Sequence, residues 1–127
     1  MRKTVLDATA VLALLNDEPG AGTAASLLPQ AVISTVNLAE VVSKLAETGM
    51  PEGMVKTVLG ELGLRVIPFD EDLALRMGLL RPATSDYGLS LGNRACLALG
   101  QHLHRPVLTA DRMWKTVKLD VEIQMIR

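Results

Sequence analysis

The chain has 127 residues, a length suited to one domain; 49% are apolar and 21% charged, a globular composition that excludes a disordered polypeptide. Aromatic residues are only 2%, so the core must be aliphatic, and the base-stacking platform of many RNA-binding modules is excluded. The net charge of −1 hides an asymmetry: residues 1–75 carry five basic and ten acidic side chains, a net of −5, and residues 76–127 carry eight and four, a net of +4, which predicts a positive rim able to hold a polyanion.

In chain order, Arg2-Lys3 and the apolar residues after them have the outline of a signal peptide, but Asp7 falls where that segment should be unbroken. No run approaches the roughly 18 apolar residues of a membrane span. With a single cysteine, Cys96, no internal disulfide can form, and the expectation is a soluble protein of the reducing cytoplasm with no membrane partner. Thr4-Val5-Leu6 reads as a short buried strand ending at Asp7, followed by a helix from Thr9 to Leu15 that Asn16-Asp17-Glu18-Pro19-Gly20 stops. A second helix covers Gly22 to Leu28. Ala31-Val32-Ile33 is the second strand, after which Ser34 or Thr35 caps a helix running to Thr48. Helices are expected over Glu52 to Leu62 and Asp70 to Leu80, with Arg65-Val66-Ile67 as a strand between them. Pro82 to Gly88 reads as a loop, Ser90 opens a helix from Leu91 to His104, Pro106 to Thr109 forms a strand, and Val121-Glu122-Ile123 the last. Short apolar strands alternating with helices predict an α/β fold, a parallel sheet covered on both faces in a single domain spanning 1–127.

In such sheets ligands sit beyond the carboxyl ends of the strands. Asp7 ends the first strand, Glu40 lies on the helix after the second, and Asp111 follows the fourth by two residues. One carboxylate at a strand end is ordinarily a helix cap. Three at the same edge repel one another, and a hard divalent cation with oxygen ligands, magnesium or manganese, relieves that repulsion.

Four segments carry a resemblance. Val5-Leu6-Asp7-Ala8-Thr9-Ala10, Ile33 to Val41, Gly88 to Leu99 and Val107 to Trp114 resemble, in order, the four signature blocks of PIN-domain toxins of the VapC type. The resemblance implies a PIN-like three-layer sandwich and a Mg2+- or Mn2+-dependent endoribonuclease, a homodimer paired with a small antitoxin whose tail fills the groove over the active site. It also implies an RNA substrate cleaved by in-line attack of a metal-bound water. The family's acids match Asp7, Glu40 and Asp111, and its remaining acid falls at Asn93, where this chain has an amide.

Asn93 could be a ligand position with one charge lost, and the expectation is weaker metal affinity and strongly reduced cleavage. Ser90 and Asn93 also have the spacing of a capping box. A PIN fold silenced by Asn93, binding RNA or antitoxin without cleaving, is the alternative function. Asp86 is a weaker candidate to replace the lost acid. Thr9 and Thr109 can hydrogen-bond the carboxylates, and Arg94 and Arg112 are candidates to hold RNA phosphate. The apolar helices from Ala39 to Leu62 are candidate partner surfaces.

Other motifs are decoys. Gly88-Leu89-Ser90-Leu91-Gly92 matches a nucleophile elbow but lacks the strand that must precede it. His102 and His104 are two apart, so a helix would not bring them to one face. Cys96 sits in an apolar helix as a core residue. A phospho-accepting receiver domain would need an adjacent acid pair after the first strand, and Asp7 stands alone.

Overall fold

The computed structural model describes residues 4–127, so Arg2 and Lys3, invoked above, lie outside the described residues. Five short strands, β1 (Thr4–Leu6), β2 (Ala31–Ser34), β3 (Arg65–Ile67), β4 (Val107–Thr109) and β5 (Ile123–Met125), pair in parallel in the order β3-β2-β1-β4-β5. Parallel neighbours need crossovers. Helices α1 (Ala8–Leu15) and α2 (Ala21–Leu27) connect β1 to β2, and α3 (Thr35–Glu47) and α4 (Glu52–Leu62) connect β2 to β3. Helices α5 (Glu71–Leu79), α6 (Arg81–Thr84) and α7 (Leu91–Leu103) lead from β3 to β4.

The pleat sorts the sheet's side chains into two cores. Leu6, Ile33 and Leu108 pack with residues of α1 to α4, including Val11, Val41, Leu45 and Val55. Val5, Val32 and Val107, one position earlier on the same strands, pack on the other face with Leu73 of α5, Leu97 and Leu99 of α7, and Trp114. Each fully buried aliphatic side chain contributes roughly 1.5–3 kcal/mol, so strands this short are held by the helices on either face rather than by their own ladders. The result is the α/β three-layer sandwich expected from the sequence.

Three expectations are corrected. The segment from Pro82 to Gly88 is not a loop: α6 and a 3-10 turn at Ser85–Tyr87 fill it, and Gly88 closes it with φ +65°. The last strand is Ile123–Met125, two residues later than expected, because Val107 and Thr109 set its register against Ile123 and Met125. β3 is an edge strand whose Arg65 and Val66 are exposed, rather than a strand buried on both faces. No helix among the described residues is long and apolar enough to cross a membrane.

The chain leaves β1 toward β2 on one side, whereas β4 lies on β1's other side and continues to β5. The order reverses between β1 and β4, and in such sheets ligands bind beyond the carboxyl ends of the strands at that point.

Candidate active site

Asp7 leaves the end of β1 in extended backbone geometry at the N-cap of α1, yet its side chain does not cap that helix. Instead it turns to β4, where its Oδ2 accepts hydrogen bonds from the hydroxyls of Thr9 at 2.7 Å and Thr109 at 2.9 Å. The two hydroxyls accept in turn from backbone amides, Thr9 from Ala110 and Thr109 from Asp111, which orients both protons toward the carboxylate. Asp7 is 1% exposed. Burial pushes its carboxyl above the usual range, the two threonine hydroxyls oppose that shift, and the charge of Glu40 reinforces it. The two acids that repel come from different elements, Asp7 from the end of β1 and Glu40 from α3.

Glu40 is carried by α3, which Ser34 caps through its hydroxyl to the amide of Asn37. One turn on, the Asn37 side chain donates to Glu40 Oε1 at 2.8 Å and to the carbonyl of Gly92 at 2.9 Å. A Cβ placed on Gly92 would collide with the Glu40 carboxylate, so the acid lies directly on the first turn of α7. Cys96 is fully buried in α7, and burial first, then the charges of Asp7 and Glu40, push its thiol well above the usual range. It is an inert floor to the acid pair, the core residue expected.

Asp111 follows β4, and its Oδ1 accepts from the Met113 amide, capping the 3-10 turn Arg112–Thr116. Among the described residues no Lys or Arg forms an ion pair with Asp7, Glu40 or Asp111. Nor, among the described residues, does any group of three His, Cys, Asp or Glu side chains lie placed to hold a metal ion. The arrangement is a buried Asp7 with a half-buried Glu40 near it, and Asp111 linked to Asp7 through one threonine hydroxyl. The donors these acids offer are all oxygens, the ligand type that hard divalent ions take.

The sequence matches the PIN domain family over residues 4–119. The chain belongs to that family. No curated protein matches it in sequence. Among solved structures, a DNA-bound VapBC from Salmonella typhimurium is 19% identical with a TM-score of 0.78, covering 100% of both chains. A toxin-antitoxin complex from Klebsiella pneumoniae is 21% identical with a TM-score of 0.71, over 95% of this chain and 100% of that one. FitAcB from Neisseria gonorrhoeae is 23% identical with a TM-score of 0.68, over 95% and 96%. At these identities the likeness is one of fold.

Within this PIN domain, the remaining candidates fall in different places. Asn93 completes the capping box: its amide donates to the Ser90 hydroxyl at 3.1 Å and its Oδ1 accepts from the Ser90 amide at 3.0 Å. That spends its ligating oxygen on the helix end and leaves an NH2 group, a donor, as its other tip. An aspartate could cap with one oxygen and ligate with the other. Arg94 requires a correction. It is 9% exposed and donates to the Met77 carbonyl near the end of α5, so it faces the α5–α7 interface rather than an RNA phosphate. Its position one residue after Asn93 rotates it by about 100° around the helix, away from the acids. Arg112 is exposed beside Asp111, with Lys115 one turn further. Asp86 is exposed on its 3-10 turn. His102 is exposed in the last turn of α7, and His104, at φ +54°, is its C-cap.

Sequence reasoning missed Asn37 and Gly92. Ser34, Asn37 and Glu40 are spaced three apart, which on a helix stacks them on one face; that was the available signal for Asn37. Nothing local announced that Gly92 faces Glu40, since the two meet only when α3 packs on α7.

Proposed function

We propose that this PIN domain is a Mg2+- or Mn2+-dependent endoribonuclease, the toxin half of a VapC-type toxin–antitoxin pair, weakened by Asn93. The observation that carries it is the buried Asp7 beside Glu40 with no cation paired to either among the described residues. A carboxylate held away from water next to a second one is costly unless a cation joins them. A bound divalent ion would supply a water of lowered pKa and neutralise charge on the RNA phosphodiester. Asp7, Glu40 and Asp111 would hold that ion, with Thr9 and Thr109 fixing the face Asp7 presents. Arg112, on the rim, would hold a phosphate of the RNA. Asn93 contributes neither charge nor a proton acceptor, which predicts slow cleavage.

The toxin assignment draws support from fold neighbours that are toxin–antitoxin complexes. A homodimer and an antitoxin partner belong to the same proposal, with the apolar cleft between α3 and α4, lined by Val42, Met50, Val55 and Leu59, as a candidate surface. A second reading, a silent module that holds RNA or antitoxin, is favoured by the single fact that Asn93 is engaged in capping. Incubating RNA with the purified chain, with Asp7→Asn and with Asn93→Asp, with and without Mg2+ or Mn2+, tests both. Cation-dependent cleavage, slow in the parent, faster in Asn93→Asp and lost in Asp7→Asn, supports the nuclease. Retention of RNA with no cleavage by the parent or by Asn93→Asp supports the silent module.

A further inference from the structure

We propose that Asn37 is a positioning residue that fixes the Glu40 carboxylate against the first turn of α7, with Gly92 leaving the space in which it sits. The inference rests on the reading of Glu40 as a cation ligand. Asn37 is fully buried, and every hydrogen-bonding atom of its side chain is engaged. Its Nδ2 carries two hydrogens, one given to Glu40 Oε1 at 2.8 Å and the other to the Gly92 carbonyl at 2.9 Å, while Oδ1 accepts from the Ser34 hydroxyl at 2.7 Å. The amide can adopt only this orientation. Flipped, its oxygen would face a carboxylate and a carbonyl, two acceptors, and its NH2 would lose both partners.

Capping does not explain it. The N-cap of α3 is completed by the Ser34 hydroxyl on the Asn37 backbone amide, which any residue at 37 would supply. What the side chain adds is a rigid link from the end of β2, through Ser34 and Asn37, to Glu40 on α3 and to the backbone of α7. Gly92 is the second half of the seat. The three atoms nearest a Cβ there all belong to the far end of the Glu40 side chain, so a methyl would displace the carboxylate before the backbone. Without Asn37, Glu40 is a half-buried side chain with several rotamers to choose from, and an ion would have to select the one that faces Asp7.

The test measures Mn2+ affinity by electron paramagnetic resonance on the full chain, on Asn37→Ala, Gly92→Ala and Glu40→Gln, and on the Asn37→Ala/Glu40→Gln double variant. Removing a partner behind a metal ligand typically weakens binding about 10–100-fold, and that range is expected for both Asn37→Ala and Gly92→Ala. In the Glu40→Gln background, Asn37→Ala should produce no further loss, since it acts through Glu40. Should Asn37→Ala fail to fold, Gly92→Ala carries the test, because alanine is the better helix former. Unchanged affinity in folded Asn37→Ala or in Gly92→Ala, or a loss in the double variant equal to the two single losses combined, would overturn the proposal.

A parent chain that binds no Mn2+ would overturn the cation reading instead. The Asn37 link is then decided by its side-chain amide protons in nitrogen-15 spectra. Two slowly exchanging resonances that move on Glu40→Gln support it, and rapid exchange insensitive to Glu40→Gln overturns it.

Discussion

The hydroxyl of Thr109 donates to Asp7, 102 positions away in sequence, at 2.9 Å and accepts the amide proton of Asp111 at 3.0 Å. One oxygen therefore couples an acid at the end of β1 to the backbone of an acid beyond β4. Thr109→Val keeps the shape and removes that oxygen. It leaves the Asp111 amide without its partner and takes one of two hydroxyl bonds from Asp7. A buried group left unsatisfied costs about 1–3 kcal/mol, and urea denaturation should show a loss of that size. An unchanged midpoint would mean that water takes the hydroxyl's place.

The raised carboxyl of Asp7 makes a signed prediction about pH. The folded chain holds this proton more tightly than the unfolded chain, whose value is near 3.8. Its favourable contribution is complete below that value and is lost as pH rises through the higher folded value, so above the folded value the ionised Asp7 destabilises the fold. Asp7→Asn keeps an oxygen for the two threonine hydroxyls and removes the charge. It should stabilise the chain at pH 8, within the roughly 0.5–2 kcal/mol of single stabilising substitutions, with a smaller gain near pH 4. Thermal melts at the two pH values check this, and a substituted chain less stable than the parent at pH 8 would contradict it. Added Mg2+ should raise the melting temperature of the parent and not of Asp7→Asn.

Asn93→Asp separates the two uses of position 93. One carboxylate oxygen can keep the bond to the Ser90 amide, and a negative charge at the third position of α7 suits the helix N-terminus by roughly 0.3–1 kcal/mol. Stability should hold or rise slightly. The second oxygen restores a charged acceptor, and a positioned acid–base group is typically worth about 10²–10⁴ in rate. Cleavage of a fluorescent RNA in Mg2+ should increase by that order. Equal rates for the parent and Asn93→Asp would remove position 93 from the chemistry.

Much of this was legible in the sequence because it is local. Strands such as Thr4-Val5-Leu6 are apolar runs that end at a polar residue, and Ser34 and Asp70 announce their helices by capping chemistry that acts over three residues. The acids could be placed at one edge because parallel strands put all their carboxyl ends on the same side. What escaped depends on packing between elements distant in sequence. The direction Arg94 faces is set by where α5 lies against α7, and the strand register at Ile123 by β4. The seat of Glu40 on Gly92 is likewise a contact between helices, and no spacing within either one encodes it.

The contrast between the two arginines gives the last prediction. Arg112 is exposed next to Asp111, whereas Arg94 is buried with its guanidinium on the Met77 carbonyl and its Nε without a partner among the described residues. A phosphate contact contributes to the salt dependence of RNA binding, and removing one lowers the slope of log affinity against log salt by roughly one. Arg112→Ala should do this with little change in stability, since exposed charges contribute little to folding. Arg94→Met should leave the slope alone, because a buried side chain displaces no counterion from RNA. Its effect falls on the fold, where a methionine fills much of the volume but leaves the Met77 carbonyl without the guanidinium. Titrations of RNA at several salt concentrations, without divalent cation, distinguish them. A slope that falls for Arg94→Met and not for Arg112→Ala would reverse the assignment and place the RNA path over α7 instead of the 3-10 turn at Arg112–Thr116.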